Sequence, residues 1–178
     1  IAHGQKIADH ILKWAAADHY KETRSLPRYA VTDDITWKPP PPSYMKAVEP
    51  HWNRMRTFVI DSAQQFKPLP ATPYSHESNS QFYQEAAAVH DIGLNLSATQ
   101  KEIANFWDCN PFKMNINGHV MYATKKISPG GHWMSIAGLA CKKTNAAVME
   151  SLETYACLSI TIADAFISCW DEKYRSHQ

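Results

Sequence analysis

Residues 144–173, reading TNAAVMESLETYACLSITIADAFISCWDEK, constrain the fold more than any other stretch. Leu152, Tyr155, Ser159, Ile162, Phe166, Cys169 and Lys173 follow one another at steps of three or four, which sets them on one stripe of a helix. A long helix with one apolar face has to bury that face, so the rest of the chain must be arranged around it. The stripe ends on Lys173. A buried ammonium is costly unless an anion or hydrogen-bond acceptors meet it. The alternative is a lysine at a helix end, its stem packed, its head in water and its charge suited to the helix dipole. Spacing alone leaves both readings open, and the solvated one is the commoner fate of a charged side chain.

The 178 residues suffice for one domain, residues 1–178, with a core of its own. At 44% hydrophobic and 20% charged the composition is that of a globular chain rather than a disordered one. A net charge of +1 with no Lys/Arg-rich run argues against nucleic acid and acidic membrane surfaces as partners. No apolar run approaches the roughly 20 residues that span a bilayer, so no transmembrane segment is expected. Ile1 is not a native start, and an upstream segment such as a signal peptide is expected to precede it. Cys109, Cys141, Cys157 and Cys169 form no CxxC and no paired Cys/His spacing, which excludes a zinc site. Cys157 and Cys169 fall in the long apolar helix and read as packed free thiols.

Along the chain, Ile7, Ile11, Trp14 and Ala15 give a first helix over residues 2–18. His3 and His10 share a side of it but lack a third metal ligand. Between residues 25 and 73 the prolines, Pro39 to Pro42 above all, forbid a long helix and predict polyproline II. Trp37, Tyr44, Trp52, Phe58 and Phe66 are interleaved with them, so this span is expected to wrap over the helices and pack its rings against them. A PxxP ligand for a binding module is the functional alternative. A helix over residues 78–94 follows. Ser97 with Gln100, or Thr99 with Glu102, then fits a capping box before Ile103, Phe106 and Trp107, and Asn110-Pro111 ends that helix. Turns at Asn117-Gly118 and Pro129-Gly130-Gly131 frame the next part. Ser128 to His132 reads either as an anion-cradling loop with His132 as acid/base or as a plain turn opening the helix of Trp133, Ile136 and Leu139. Thr144 or Asn145 can cap the last helix. The sum is an all-α bundle of five to six helices with one Pro-rich wrap.

Residues 162–174, IADAFISCWDEKY, resemble the helix that carries the first active-site motif of the PAP2 superfamily. That superfamily comprises the vanadium-dependent haloperoxidases and their acid phosphatase relatives. Residues 7–18 (IADHILKWAAAD), 36–60 (TWKPPPPSYMKAVEPHWNRMRTFVI) and 97–111 (SATQKEIANFWDCNP) are similar, in the same order, to the N-terminal part of bacterial members. The resemblance implies that Lys173 donates to an equatorial oxygen of bound phosphate or vanadate. It implies packing roles for Trp170 and Phe166, structural hydrogen bonds or salt bridges for Asp164 and Asp171, and a place near the site mouth for His132. Trp170, Asp171 and His132 are thus the expected neighbours of Lys173.

The family's first-motif arginine would fall just beyond Gln178, and its Pro-Ser-Gly-His and later Arg…His motifs are absent, SPGGH being out of order. The resemblance therefore implies the N-terminal portion of a larger PAP2/haloperoxidase-like domain, inactive alone, whose partner is the remainder of the same protein. The whole protein would act on a phosphoester through a phosphohistidine, or on halide and peroxide with vanadate. No metal ligand set is expected in this chain. Export to the periplasm or outside the cell, and a homo-oligomer, are both compatible with the resemblance. The rival from another class is a non-catalytic helical interaction module.

Overall fold

A computed structural model describes residues 2–27, 37–110 and 112–176. Residues 28–36 of the Pro-rich span and Pro111 lie outside the described residues. Among the described residues six α-helices carry the fold: α1 (Ala2–Ala15), α2 (Tyr20–Ser25), α3 (Gln81–Leu94), α4 (Ala98–Trp107), α5 (Pro129–Thr144) and α6 (Val148–Ser176). The one sheet among the described residues is a two-stranded hairpin, β1 (Phe112–Asn117) and β2 (Val120–Lys125). The expected helical class holds, and the hairpin is an addition to it. Its strands pair antiparallel from Phe112↔Lys125 to Asn117↔Val120. Gly118, at φ +60°, opens the two-residue turn that such a register requires.

Local chemistry explains most boundaries. Ser97 accepts from the backbone of Gln100, and the Gln100 side chain answers the Ser97 N–H at 2.8 Å, so the capping box opens α4. Ser128 accepts from the Gly131 N–H at 3.2 Å and Pro129 occupies the first turn, making SPGG an ordinary capped start to α5. Asn145 does not cap α6 as expected. It adopts left-handed φ 53°, ψ 40° and closes the C-terminus of α5, its N–H reaching Cys141 and Lys142 carbonyls. Thr144, the last residue of α5, turns its hydroxyl back to the Ala140 carbonyl. The four-proline run is not a continuous polyproline II segment either. The Pro41–Pro42 peptide is cis, and the Tyr44 N–H closes a turn onto the Pro40 carbonyl at 3.0 Å.

Packing is concentrated on α6. α5 lies against it, and the 3-10 turn Trp52–Arg54 of the Pro-rich span lies against its C-terminal half. Gly138 sets how close α5 and α6 come, because a Cβ there would sit 2.6 Å from the Tyr155 hydroxyl oxygen. The buried face of α6 is Asp164, Ile167 and Asp171, offset from the stripe expected to be buried. Lys173 is exposed, as are Leu152 and Cys169, and Cys157 is exposed rather than packed.

The buried apolar residues among those described are Ala47, Ala63, Ala137 and Ile167. Ile7, Ile11 and Trp14 of α1, Val89 and Ile92 of α3, and Ile103 and Phe106 of α4 remain exposed. The core expected of a self-sufficient domain is therefore thin. By length and composition α6 is also apolar enough to cross a membrane, a feature the run of residues did not suggest. Its Asp164, however, binds the chain's own backbone, as a core helix would.

Candidate functional site

The end of α6 is held by two carboxylates on its buried face. Asp164, 5% exposed, accepts the backbone N–H groups of Phe58, Val59 and Ile60 at 2.7, 2.7 and 3.1 Å. Asp171, 3% exposed, accepts from Asn53 Nδ2 at 3.0 Å and from Arg175 Nε at 3.2 Å. Buried carboxylates tolerate their site only when such donors satisfy them. Asp171 thus ties α6 to the Trp52–Arg54 turn, and its oxygens are committed to structure.

The neighbouring face of α6 opens on a cleft of about 710 Å³. Phe166, Trp170 and Lys173 form one wall, Met45, Val48 and Trp52 a second, and the end of α4 with the start of α5 a third. Trp52, Phe166 and Trp170 pack mutually, with centroids 5.1 to 5.7 Å apart, Trp52 meeting Phe166 edge-to-face and Trp170 tilted against both. The Trp170 indole and the Tyr174 hydroxyl both donate to the Val48 carbonyl, at 2.9 and 2.8 Å, which pins α6 to the Pro-rich span. The wrap therefore packs Trp52 as expected and sets Phe58 edge-on to Trp14 at 5.2 Å, but Phe58 itself stays exposed, as do Trp37, Tyr44 and Phe66.

Lys173 extends its ammonium 4.9 Å from the Trp170 ring centroid and 5.8 Å from that of Tyr174. It has no carboxylate partner among the described residues. A cation on an aromatic wall, free of counter-charge and facing a cleft, is positioned to receive an anion. The one acid of that cleft is Asp108, which is paired with Lys126. The hydrogen bond from Lys126, followed by those from Asn110, holds the Asp108 carboxyl below its ordinary value of 3.8. Elsewhere, the Tyr20 hydrogen bond and then the Glu49 charge raise Arg24 above its usual value.

The expected neighbours of Lys173 separate into two sets. Trp170 shares its cleft; Asp171 faces away; His132 is 7% exposed behind the wall, 2.7 Å from the Sγ of Cys109. Cys109 and Asp108 do line the cleft, and sequence reasoning gave them no role. The crowding of aromatic, acid and thiol in FWDCNP was the available signal. The donors suit an oxyanion in part: the Lys173 ammonium and the α5 N-terminus at Ser128–Gly130 line the cleft, whereas the indole N–H of Trp52 is fully buried and lacks a partner. No group of three His, Cys, Asp or Glu among the described residues is placed to hold a metal ion.

One solved structure bears directly on this arrangement. The chain is similar to a vanadium-dependent iodoperoxidase. That protein, described as the first bacterial vanadium-dependent iodoperoxidase, is 47% identical over 99% of this chain, with a TM-score of 0.86. The fold is accordingly the helical haloperoxidase-like one. This chain spans 42% of the length of that protein. No family model matches the chain, and no curated protein does.

Proposed function

We propose that the whole protein is a vanadium-dependent haloperoxidase of the PAP2 superfamily, and that this chain supplies one wall of its anion site. The observation that carries the reading is the 47% identity, across nearly the whole chain, to an iodoperoxidase that depends on vanadium. Lys173 is the oxyanion donor, placed by α6 and braced on Trp170. Trp170, Phe166 and Trp52 keep water from one side of the anion and so strengthen its attraction to the ammonium. When bound, vanadate supplies the oxidation of halide by peroxide. The remaining donors, arginine and histidine, come from residues beyond this chain, and the same remainder covers the exposed faces of α1, α3 and α4. Alone, the chain holds too few donors to turn over. Export from the cytoplasm belongs to the same reading.

The test uses the full-length protein with added vanadate, iodide and hydrogen peroxide, followed by triiodide absorbance, with p-nitrophenyl phosphate hydrolysis run in parallel. Iodide oxidation that requires vanadate and is suppressed by phosphate is the expected result. Phosphate-ester hydrolysis without iodide oxidation would reassign the same cleft to a phosphatase. Absence of both activities would leave a helical interaction module.

A further inference from the structure

We infer that Cys109 and His132 form a peroxide-reactive thiol site in the wall of the cleft. The pair joins two elements: Cys109 follows the end of α4, and His132 lies in the first turn of α5. Sγ and Nδ1 are 2.7 Å apart. The imidazole is fixed from several sides. The backbone N–H of His132 donates to the Ser128 carbonyl at 2.9 Å, which fixes the residue in the first turn, and the rings of Phe106 and Trp107 stand 4.6 and 5.4 Å from the imidazole centroid. A nucleophile with a base in hydrogen-bond reach, the base oriented by further contacts, is the arrangement that activates a thiol. Cys109 is also half-buried and lines the 710 Å³ cleft, so a small neutral oxidant can reach it. Cys157 and Cys169 are more exposed, yet neither has a histidine partner among the described residues.

In the reaction, His132 takes the thiol proton and Sγ attacks one peroxide oxygen. An S–O bond forms and the O–O bond breaks. Sulfur loses two electrons and becomes a sulfenic acid, and the departing hydroxide takes the proton to give water. A thiol reductant reverses the change. Neither halide nor vanadate takes part, so the inference is independent of the function proposed above.

The experiment treats the reduced full-length protein with hydrogen peroxide, without vanadate or halide, traps sulfenic acid with dimedone, and quantifies each cysteine by peptide mass spectrometry. Cys109 should be labelled faster than Cys157 and Cys169 by on the order of tenfold or more, against the order of exposure. His132→Gln should bring Cys109 down to the rate of Cys157 while leaving Cys157 unchanged. Dithiothreitol before trapping should abolish the label. Labelling that follows exposure, with Cys157 and Cys169 first, overturns the inference, as does a folded His132→Gln protein that reacts like wild type. Should that variant fail to fold, the ranking of cysteines within the wild-type protein decides alone.

Discussion

Asp164 and Lys173 are charges on the same helix with opposite surroundings. The carboxylate is 5% exposed and takes three backbone N–H groups of the Pro-rich span. The ammonium is exposed in a cleft, against the faces of Trp170 and Tyr174. A buried charge whose two oxygens are both held by backbone N–H groups is committed to the fold. A charge beside π-faces and water keeps its capacity, and its removal leaves no orphaned donor behind. Burial thus identifies which charge holds the protein together, and incomplete pairing identifies which one is available for chemistry.

Substitution separates the two roles. Asp164→Ala removes a buried carboxylate and with it the acceptor of three backbone N–H groups, and should destabilise the full-length protein by about 3 kcal/mol or more in urea unfolding. A change within about 0.5 kcal/mol, the range of an ordinary surface site, would erase the distinction between the two residues. Lys173→Met should show the reverse: unfolding within about 0.5 kcal/mol of wild type, but vanadate affinity by calorimetry down roughly tenfold or more, the worth of one charge-assisted contact. Unchanged vanadate binding would remove Lys173 from the site.

The smallest effect concerns Asp108, a carboxylate between those extremes. Its folded-state value lies below 3.8 because Lys126 and Asn110 donate to it. A depressed carboxylate stabilises the fold above its unfolded value and ceases to do so as pH falls through the folded one. Lys126→Gln should therefore move the Asp108 titration up toward the ordinary range in carboxyl NMR. It should also flatten the loss of stability below about pH 4. A titration that does not move would show that the ion pair has no hold on the cleft's one acid.

Legibility followed distance along the chain. The Ser97–Gln100 capping box spans a single turn, so its chemistry was complete in the sequence, and the structure has it. Asn145 was ambiguous because asparagine serves both as an N-cap and as a left-handed C-cap, and the latter prevailed. The hairpin was written in the alternation of Phe112, Met114 and Ile116 with Lys113, Asn115 and Asn117, a period-two signal read only as turn flanks. The face of α6 was misplaced because the stripe was drawn through Leu152, Tyr155, Ile162 and Phe166 and left out Asp164 and Asp171, for which the resemblance implied structural hydrogen bonds or salt bridges without naming their partners. Their donors, Phe58 to Ile60 and Asn53, lie far upstream, where no local pattern announces them. The Cys109–His132 pair was hidden for the same reason, formed only when α4 and α5 meet.

The Asp164 clamp also bears on how this chain tolerates change. Its ends are separated by 104 to 106 residues, and everything from α3 to β2 lies in the loop it closes. The entropy of closing a loop grows only logarithmically, by about 0.6 kcal/mol per doubling of length. The number of residues between the ends is thus a weak constraint on whether the clamp forms. Insertions at the exposed His119 end of the hairpin can accumulate at little thermodynamic penalty. The register of three consecutive N–H groups against one carboxylate allows no such drift, so evolutionary freedom in length and rigidity in geometry coexist within one closed segment.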